Sequence, residues 1–422
     1  MEFVKLSNRL SRTFRIKIPK KYWSGTQRAV APGVTVRTVM PLMAKFGITR
    51  VANVTGLDWL GVPVVMVCRP NSRSLSVSQG KGTTLDAAKA SGLMEAIELY
   101  HAEHIELPIE VTSFHTLSKH HTVVEAAQLP LVNLSIFHEH KEMLWVEGYD
   151  LLQEKSTWVP YECVSNNCVD QNLPGSGSFG MTSNGLASGN NLLEAIVHAI
   201  CEVVERDATT LWYSREKHIR EASVLDLDSC EDQTSQELIA RFRESGLHLQ
   251  VWDTTSDVGI SSFLCLLHED SKDPSRVRYS SLGMGCHASR NIALVRAVTE
   301  AAQSRLTLIA GSRDDMFRDQ YEQLCFRSED LSEFCALHPS NDSRRQFRNV
   351  PSFESDTFNK DIDLTLDKLR SAGIQQAVVV TLTEAESPFQ VVKLLIPDLE
   401  SQDDHSRYTP GRRAKQLRHR ST

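Results

Sequence analysis

Two pairs of glutamates, each spaced three residues apart inside an apolar stretch, constrain this chain more than any other feature. Glu95 and Glu98 lie in SGLMEAIELY (91–100), and Glu202 and Glu205 in AICEVVERDA (199–208). Residues three apart share one helix face, so each stretch, read as a helix, projects two carboxylates the same way. Acids set among Ala, Ile and Val are poorly placed to confer solubility. Four carboxylates in such surroundings need a counter-charge, and a divalent cation supplies it most simply. The pattern points to Mg2+ and a phosphate-bearing ligand.

The surrounding pattern is that of a mixed α/β (α+β) body. Helices are predicted over about 84–103, 191–213, 233–245 and 291–310, with strands at 62–68, 248–253, 260–267, 376–382 and 389–396 and a hairpin over 143–164. Thr83 and Asp86 have capping-box spacing at the first long helix, and Asn191 and Glu194 at the second. The chain of 422 residues divides into a lead-in (1–50), a body (51–400) and a basic tail (401–422) expected to be flexible. A net charge of -7 argues against a nucleic-acid binder. No apolar run reaches membrane-span length, and the N-terminus has no signal-peptide core, so no membrane partner is expected. The nine cysteines form no CxxC pair and read as reduced thiols of a cytoplasmic protein.

Familiar nucleotide and catalytic signatures are missing. GSGSFG (175–180) has dinucleotide-type spacing, but no strand feeds it and no helix opens directly after it. The sequence holds no P-loop, no HExxH and no GxSxG elbow. What stands out is three glycine-bearing segments read as loops, each entering a helix. These are SQGKG (78–82), NGLASGN (184–190) and GMGCH (283–287). Free N–H groups at a helix start favour phosphate. Together the three units offer Lys81, Arg206 and Arg296 as cations for phosphate and the glutamates as acids for Mg2+. Competing readings are local: an Arg296–Glu300 i,i+4 ion pair, a surface cluster at Glu205–Arg206–Asp207, and His198 as a packed histidine without a catalytic part.

SQGKG, SGLMEAIELYHAE, TSNGLASGNNLLEAIVHAICEVVERDA and GMGCHASRNIALVRAVTEAAQSRLTLIAGSRDD resemble the signature segments of the YcaO superfamily, over roughly residues 50–400. The resemblance implies a family-specific mixed α/β fold, neither P-loop nor Rossmann. It also implies an enzyme that uses ATP and Mg2+ to activate backbone amides of a peptide. Residue by residue, Glu95, Glu98, Glu202 and Glu205 resemble the family's Mg2+-coordinating acids. Ser91, Asn190, Glu194, Arg206, Arg296 and Glu300 match nucleotide-contacting positions, with Lys81 in the segment expected near the phosphates. Arg206 and Arg296 are the residues expected to steady the transferring phosphoryl group. The chain departs from many members at Leu99–Tyr100, where Glu-Arg is common, and at Met94, where some carry a basic residue.

The segment GITRVANVTGLDWLGVPVVMVCRP and the lack of a Pro-x-Pro-x-Pro ending are most similar to stand-alone members encoded beside TfuA proteins. That resemblance implies thioamide formation on a precursor peptide, with a TfuA-like partner and a homodimeric enzyme. An azoline-forming cyclodehydratase and a non-catalytic accessory protein of the kind linked to ribosomal-protein methylthiolation are the alternatives.

Overall fold

The computed structural model describes residues 14, 16–169, 173–269, 280–316, 318, 344–401 and 408–420. A two-stranded ribbon, Lys21–Tyr22 against Gln27–Arg28, leads into helix α1 (Pro32–Val39). Pro32 sits in the first turn of α1, where a missing N–H leaves no bond unmade. The first sheet is antiparallel, in the order β1 (Arg50–Asn53), β2 (Val64–Cys68), β3 (Val77–Lys81). Helix α2 (Leu85–Glu103) lies on it, burying Leu93 and Ile97 against Val65 and Val67.

The six-stranded sheet begins with β4 (Ile109–Ser113) and the expected hairpin of β5 (Glu142–Asp150) and β6 (Lys155–Pro160). It also holds β7 (Leu186–Gly189), which leads into helix α3 (Leu192–Tyr213). Helix α4 (Gln233–Glu244) precedes the third sheet, β8 (Leu247–Asp253), β9 (Ser261–Glu269) and β10 (Ser281–His287), antiparallel throughout. Helix α5 (Arg290–Ala310) covers that sheet, packing Leu294 and Val298 over Phe263 and Cys265. Helix α6 (Phe358–Ser371) rests on α3, and β11 (Val378–Thr381) and β12 (Gln390–Leu395) complete the large sheet in the order β4-β5-β11-β12-β7. On its inner face, Ile196, Ile200 and Val204 of α3 meet Val392 and Leu394. No helix among the described residues is long and apolar enough to cross a membrane.

Three times, then, the chain climbs a strand, turns within two or three residues and returns as a long helix on that strand: β3–α2, β7–α3 and β10–α5. The first two turns are closed by side-chain caps. Thr84 accepts from the Ala87 N–H and Asn191 from the Glu194 N–H. The cap of α2 is Thr84, one residue beyond the Thr83 expected; Thr83 instead donates its hydroxyl to the Ser24 carbonyl.

The glycine segments read as loops are largely strand. Their glycines admit a helix backbone at close range. A Cβ on Gly80 would lie 2.1 Å from the Ala88 carbonyl oxygen, and one on Gly283 would lie 2.2 Å from the Ala301 nitrogen. The GSGSFG amides are likewise committed inside the chain: Gly177, Ser178 and Phe179 donate their N–H groups to the Glu162 carboxylate.

The basic tail departs from expectation as well. Among its described residues, Arg412–Arg420 forms helix α7, with Ala414 fully buried and Arg413 only 8% exposed. Two of its arginines are paired: Arg412 with Asp398, and Arg413 with Asp207 and Asp257. Glu400 accepts from the Gly411 and Ala414 N–H groups at the start of the helix.

Candidate functional site

Because each helix folds back over its own strand, the polar stripes of α2, α3 and α5 meet in one cleft, and side chains of one unit bond to those of another. Lys81 at the end of β3 pairs with Glu300 of α5 at 2.9 Å. Glu300 also accepts from the Met284 N–H on β10. Ser188 of β7 donates its hydroxyl to Glu98 of α2. Arg206 of α3 reaches the Met284 sulfur at 3.7 Å and lies 4.0 Å from Glu205. Arg296 donates to the Cys286 carbonyl. The i,i+4 pair of Arg296 with Glu300 is thus replaced by the longer-range Lys81–Glu300 pair.

Glu194 is a hub at the other end of the cleft. Its carboxylate accepts from the Asn190 side-chain amide at 2.9 Å and from the backbone N–H groups of Asn190 and Ala29. Asn190 in turn accepts from the Thr35 hydroxyl. Ser91 is half-buried and is placed by its helix alone, one turn before Glu95.

The electrostatics of the cleft are those of crowded acids. Removal from bulk water pushes Glu95, Glu98 and Glu205 upward. Like charges reinforce the shift: Glu202 and Glu95 on Glu98, and Glu300 on Glu205, which reaches about 7. Hydrogen bonds oppose it, from the Gln79 N–H to Glu95 and from Ser188 to Glu98. Burial would raise Glu300 too, but Lys81 and Arg206 outweigh it and hold that carboxyl below its ordinary value. Among the described residues, no three His, Cys, Asp or Glu side chains already stand in a ligating arrangement. Glu95 and Glu98 each keep a partner of their own, the Gln79 N–H and the Ser188 hydroxyl. Even so, the donor set fits a divalent cation. Several oxygen donors kept from full ionisation by burial and mutual repulsion are in the state that such an ion relieves.

Sequence reading missed three residues here. Arg28, in the lead-in, lies 3.9 Å from Glu194 and donates to Thr35, while its Nε has no hydrogen-bond partner. Burial, and then the like charge of Arg296, lower its pKa despite Glu194. Thr35 accompanies it, and the only local signal was a lone arginine before a proline-started helix. The third is His198, expected to be packed away. It occupies the cleft stripe of α3 between Glu194 and Glu202 and is exposed to solvent within the cleft. The enclosing walls, followed by the charge of Arg296, hold its ring neutral with a pKa of about 3. Its four-residue spacing from Glu194 and Glu202 was the signal that could have found it. A cavity of about 1370 Å3 lies apart from this cleft, between Gln128–Ser135, Leu173–Thr182 and Tyr408–Lys415, and none of the expected site residues lines it.

A mixed α/β body that brings these acids within electrostatic reach of Arg206 and Arg296 is an arrangement suited to a polyanion together with a cation. The chain belongs to the YcaO family: the family's model, described as a YcaO cyclodehydratase that binds ATP and Mg2+, matches residues 79–400. A protein of Rhizobium leguminosarum bv. trifolii from the tfuA 3' region is 35% identical over 380 residues, 88% of each chain. A protein of Methanothermobacter thermautotrophicus is 30% identical over 381 residues, 88% of this chain and 95% of its own.

Among solved structures, a heterocyclase in complex with substrate and cofactor superposes with a TM-score of 0.78 at 24% identity, over 96% of this chain. The chain spans 56% of that heterocyclase's length. YcaO from Methanopyrus kandleri, bound with AMPPCP and Mg2+, superposes with a TM-score of 0.70 at 19% identity, covering 93% of this chain and 98% of its own. At these identities the structural likeness concerns the fold.

Proposed function

We infer that this chain activates backbone amides of a peptide with ATP and Mg2+, and that its product is a thioamide. The observation that carries the reading is the gathering of Glu95, Glu98, Glu202 and Glu205 with Lys81, Arg28, Arg206 and Arg296. In this assignment sulfide adds to a peptide carbonyl carbon, and the oxyanion so formed takes the γ-phosphoryl group of ATP. Departure of phosphate then leaves C=S where C=O stood, with ADP as co-product. The four glutamates would hold Mg2+, whose part when bound is to neutralise negative charge on the triphosphate.

The other residues bind and orient. Lys81, Arg28 and Arg296 supply positive charge to the phosphates, and Arg206 and Arg296 steady the group in transfer. Asn190 and Glu194 fix Arg28 and Thr35 at the far end of the cleft, and Ser91 and Glu300 complete the nucleotide contacts. His198, being neutral, can offer a hydrogen bond without adding to the charge. The relative from the tfuA 3' region supports the choice of sulfur and a TfuA-like partner.

The test is the mass of a precursor peptide incubated with the chain, ATP, Mg2+, a sulfide source and a TfuA-like protein. Gain of the sulfur–oxygen mass difference supports the thioamide reading. Loss of one water assigns an azoline-forming cyclodehydratase instead. Nucleotide binding with no change in any peptide and no ATP turnover would point to an accessory protein and overturn the enzymatic reading.

A further inference from the structure

Helix α3 is gripped from behind by the C-terminal segment, at a point beside the cleft residues. Asp207 directly follows Arg206 and is fully buried. Two residues on a helix are separated by roughly 200° of rotation, so Asp207 faces away from Glu205 and from the cleft. Arg413 of α7 meets it with two parallel bonds, Nε to Oδ1 and Nη2 to Oδ2, both at 3.0 Å. The Glu400 N–H takes the remaining position on Oδ1 at 3.0 Å. A second arm of Arg413 reaches Asp257, in the turn between β8 and β9. Glu400, which closes this arrangement, also seats the start of α7 by accepting from Gly411 and Ala414 and from the Tyr408 hydroxyl. One guanidinium therefore ties α3 to the third sheet and to the tail, from outside the 79–400 stretch that matches the family.

We propose that Arg413 is a positioning residue for the cleft: by clamping Asp207 it fixes the rotation and height of the C-terminal half of α3, and so the placement of Glu205 and Arg206. A fork that binds one carboxylate through two nitrogens resists rotation in a way a single contact does not. The proposal rests on the nucleotide and metal reading of the cleft. Arg413 itself touches neither.

The experiment uses the full chain and compares wild type with Arg413→Ala, Arg413→Lys and Asp257→Asn. Two quantities are read for each: the Mg2+ concentration at half-maximal binding of a non-hydrolysable ATP analogue, and hydrogen exchange of the amides over 202–213. The expected result for Arg413→Ala is a rise in the Mg2+ midpoint of roughly tenfold or more, the scale for loss of a group that orients metal ligands. Faster exchange confined to that half of α3 should accompany it. Arg413→Lys, which keeps the charge but not the fork, should recover only part of the midpoint, and Asp257→Asn should leave it near wild type. If Arg413→Ala proves too unstable to purify, Arg413→Lys decides alone.

A wild-type Mg2+ midpoint in either arginine variant, whatever its melting temperature, overturns the proposal. Failure of the wild type itself to bind the analogue in a Mg2+-dependent way would instead overturn the reading of the cleft.

Discussion

Replacing Gly80 with alanine puts the three-unit architecture to a quantitative test. The added methyl would stand 2.1 Å from the Ala88 carbonyl oxygen, 2.1 Å from the Gly92 nitrogen and 2.7 Å from the Gly92 Cα. All three atoms are helix backbone, so no side chain can swing aside. Ordinary contact requires about 3.4 Å or more, so α2 must lift from β3 by roughly an ångström, and overpacking of this kind costs on the order of 1–3 kcal/mol or more. The displacement falls between the Gln79 N–H, which bonds Glu95, and Lys81, which bonds Glu300. Stability and ligand binding should therefore fall together. Gly56→Ala is the control, because nothing lies within 4 Å of its Cβ position. Urea unfolding of both variants, with affinity for an ATP analogue in Mg2+, reads the difference. Equal midpoints for Gly80→Ala and Gly56→Ala would refute the claim that direct strand–helix backbone contact builds the cleft.

Two further outcomes follow from buried charge. Glu205 titrates near 7 in the folded chain against an ordinary 4.5, so the folded state binds the proton more tightly. Stability from this group is full below about pH 4.5 and lost as pH rises to about 7, a decline on the order of 2–3 kcal/mol in metal-free protein. Glu205→Gln should flatten that decline in pH-dependent unfolding; an unchanged slope would count against it. Arg69 and Glu103 form a buried ion pair, with Ser74 also donating to Glu103. Arg69→Ala strands the carboxylate and should lower stability by roughly 3–5 kcal/mol in urea unfolding, and a loss under 1 kcal/mol would contradict the pair's burial.

What the sequence disclosed and what it withheld have physical reasons. The helices carrying Glu95, Glu98, Glu202 and Glu205 were legible because acids embedded among small apolar residues leave few other roles, and helix periodicity is local. Strand β3 was misread because SQGKG, with Gly80 and Gly82, suggests a turn. Only the helix packed on it shows that those glycines are there for close approach. The tail looked solvated because it is rich in arginine and poor in apolar residues that could be buried. The partners of Arg412 and Arg413, Asp207, Asp257 and Asp398, are brought to them by the fold. Arg28 was hidden for the same reason: its role depends on Glu194, far along the chain, which sequence spacing cannot connect to it. The candidate residues of the helices are thus local in sequence, whereas Arg28 and Arg413 meet their partners only in the fold.

The decisive property of the molecule is whether these acids act together on a cation that carries a nucleotide. Calorimetric titration of the chain with a non-hydrolysable ATP analogue, with and without Mg2+, measures this directly. Wild type should bind the analogue tightly only when Mg2+ is present, and Glu98→Gln combined with Glu202→Gln should abolish that Mg2+ dependence while the chain stays folded. Equal affinity with and without Mg2+ in the wild type, or full Mg2+-dependent binding in the double variant, would contradict it.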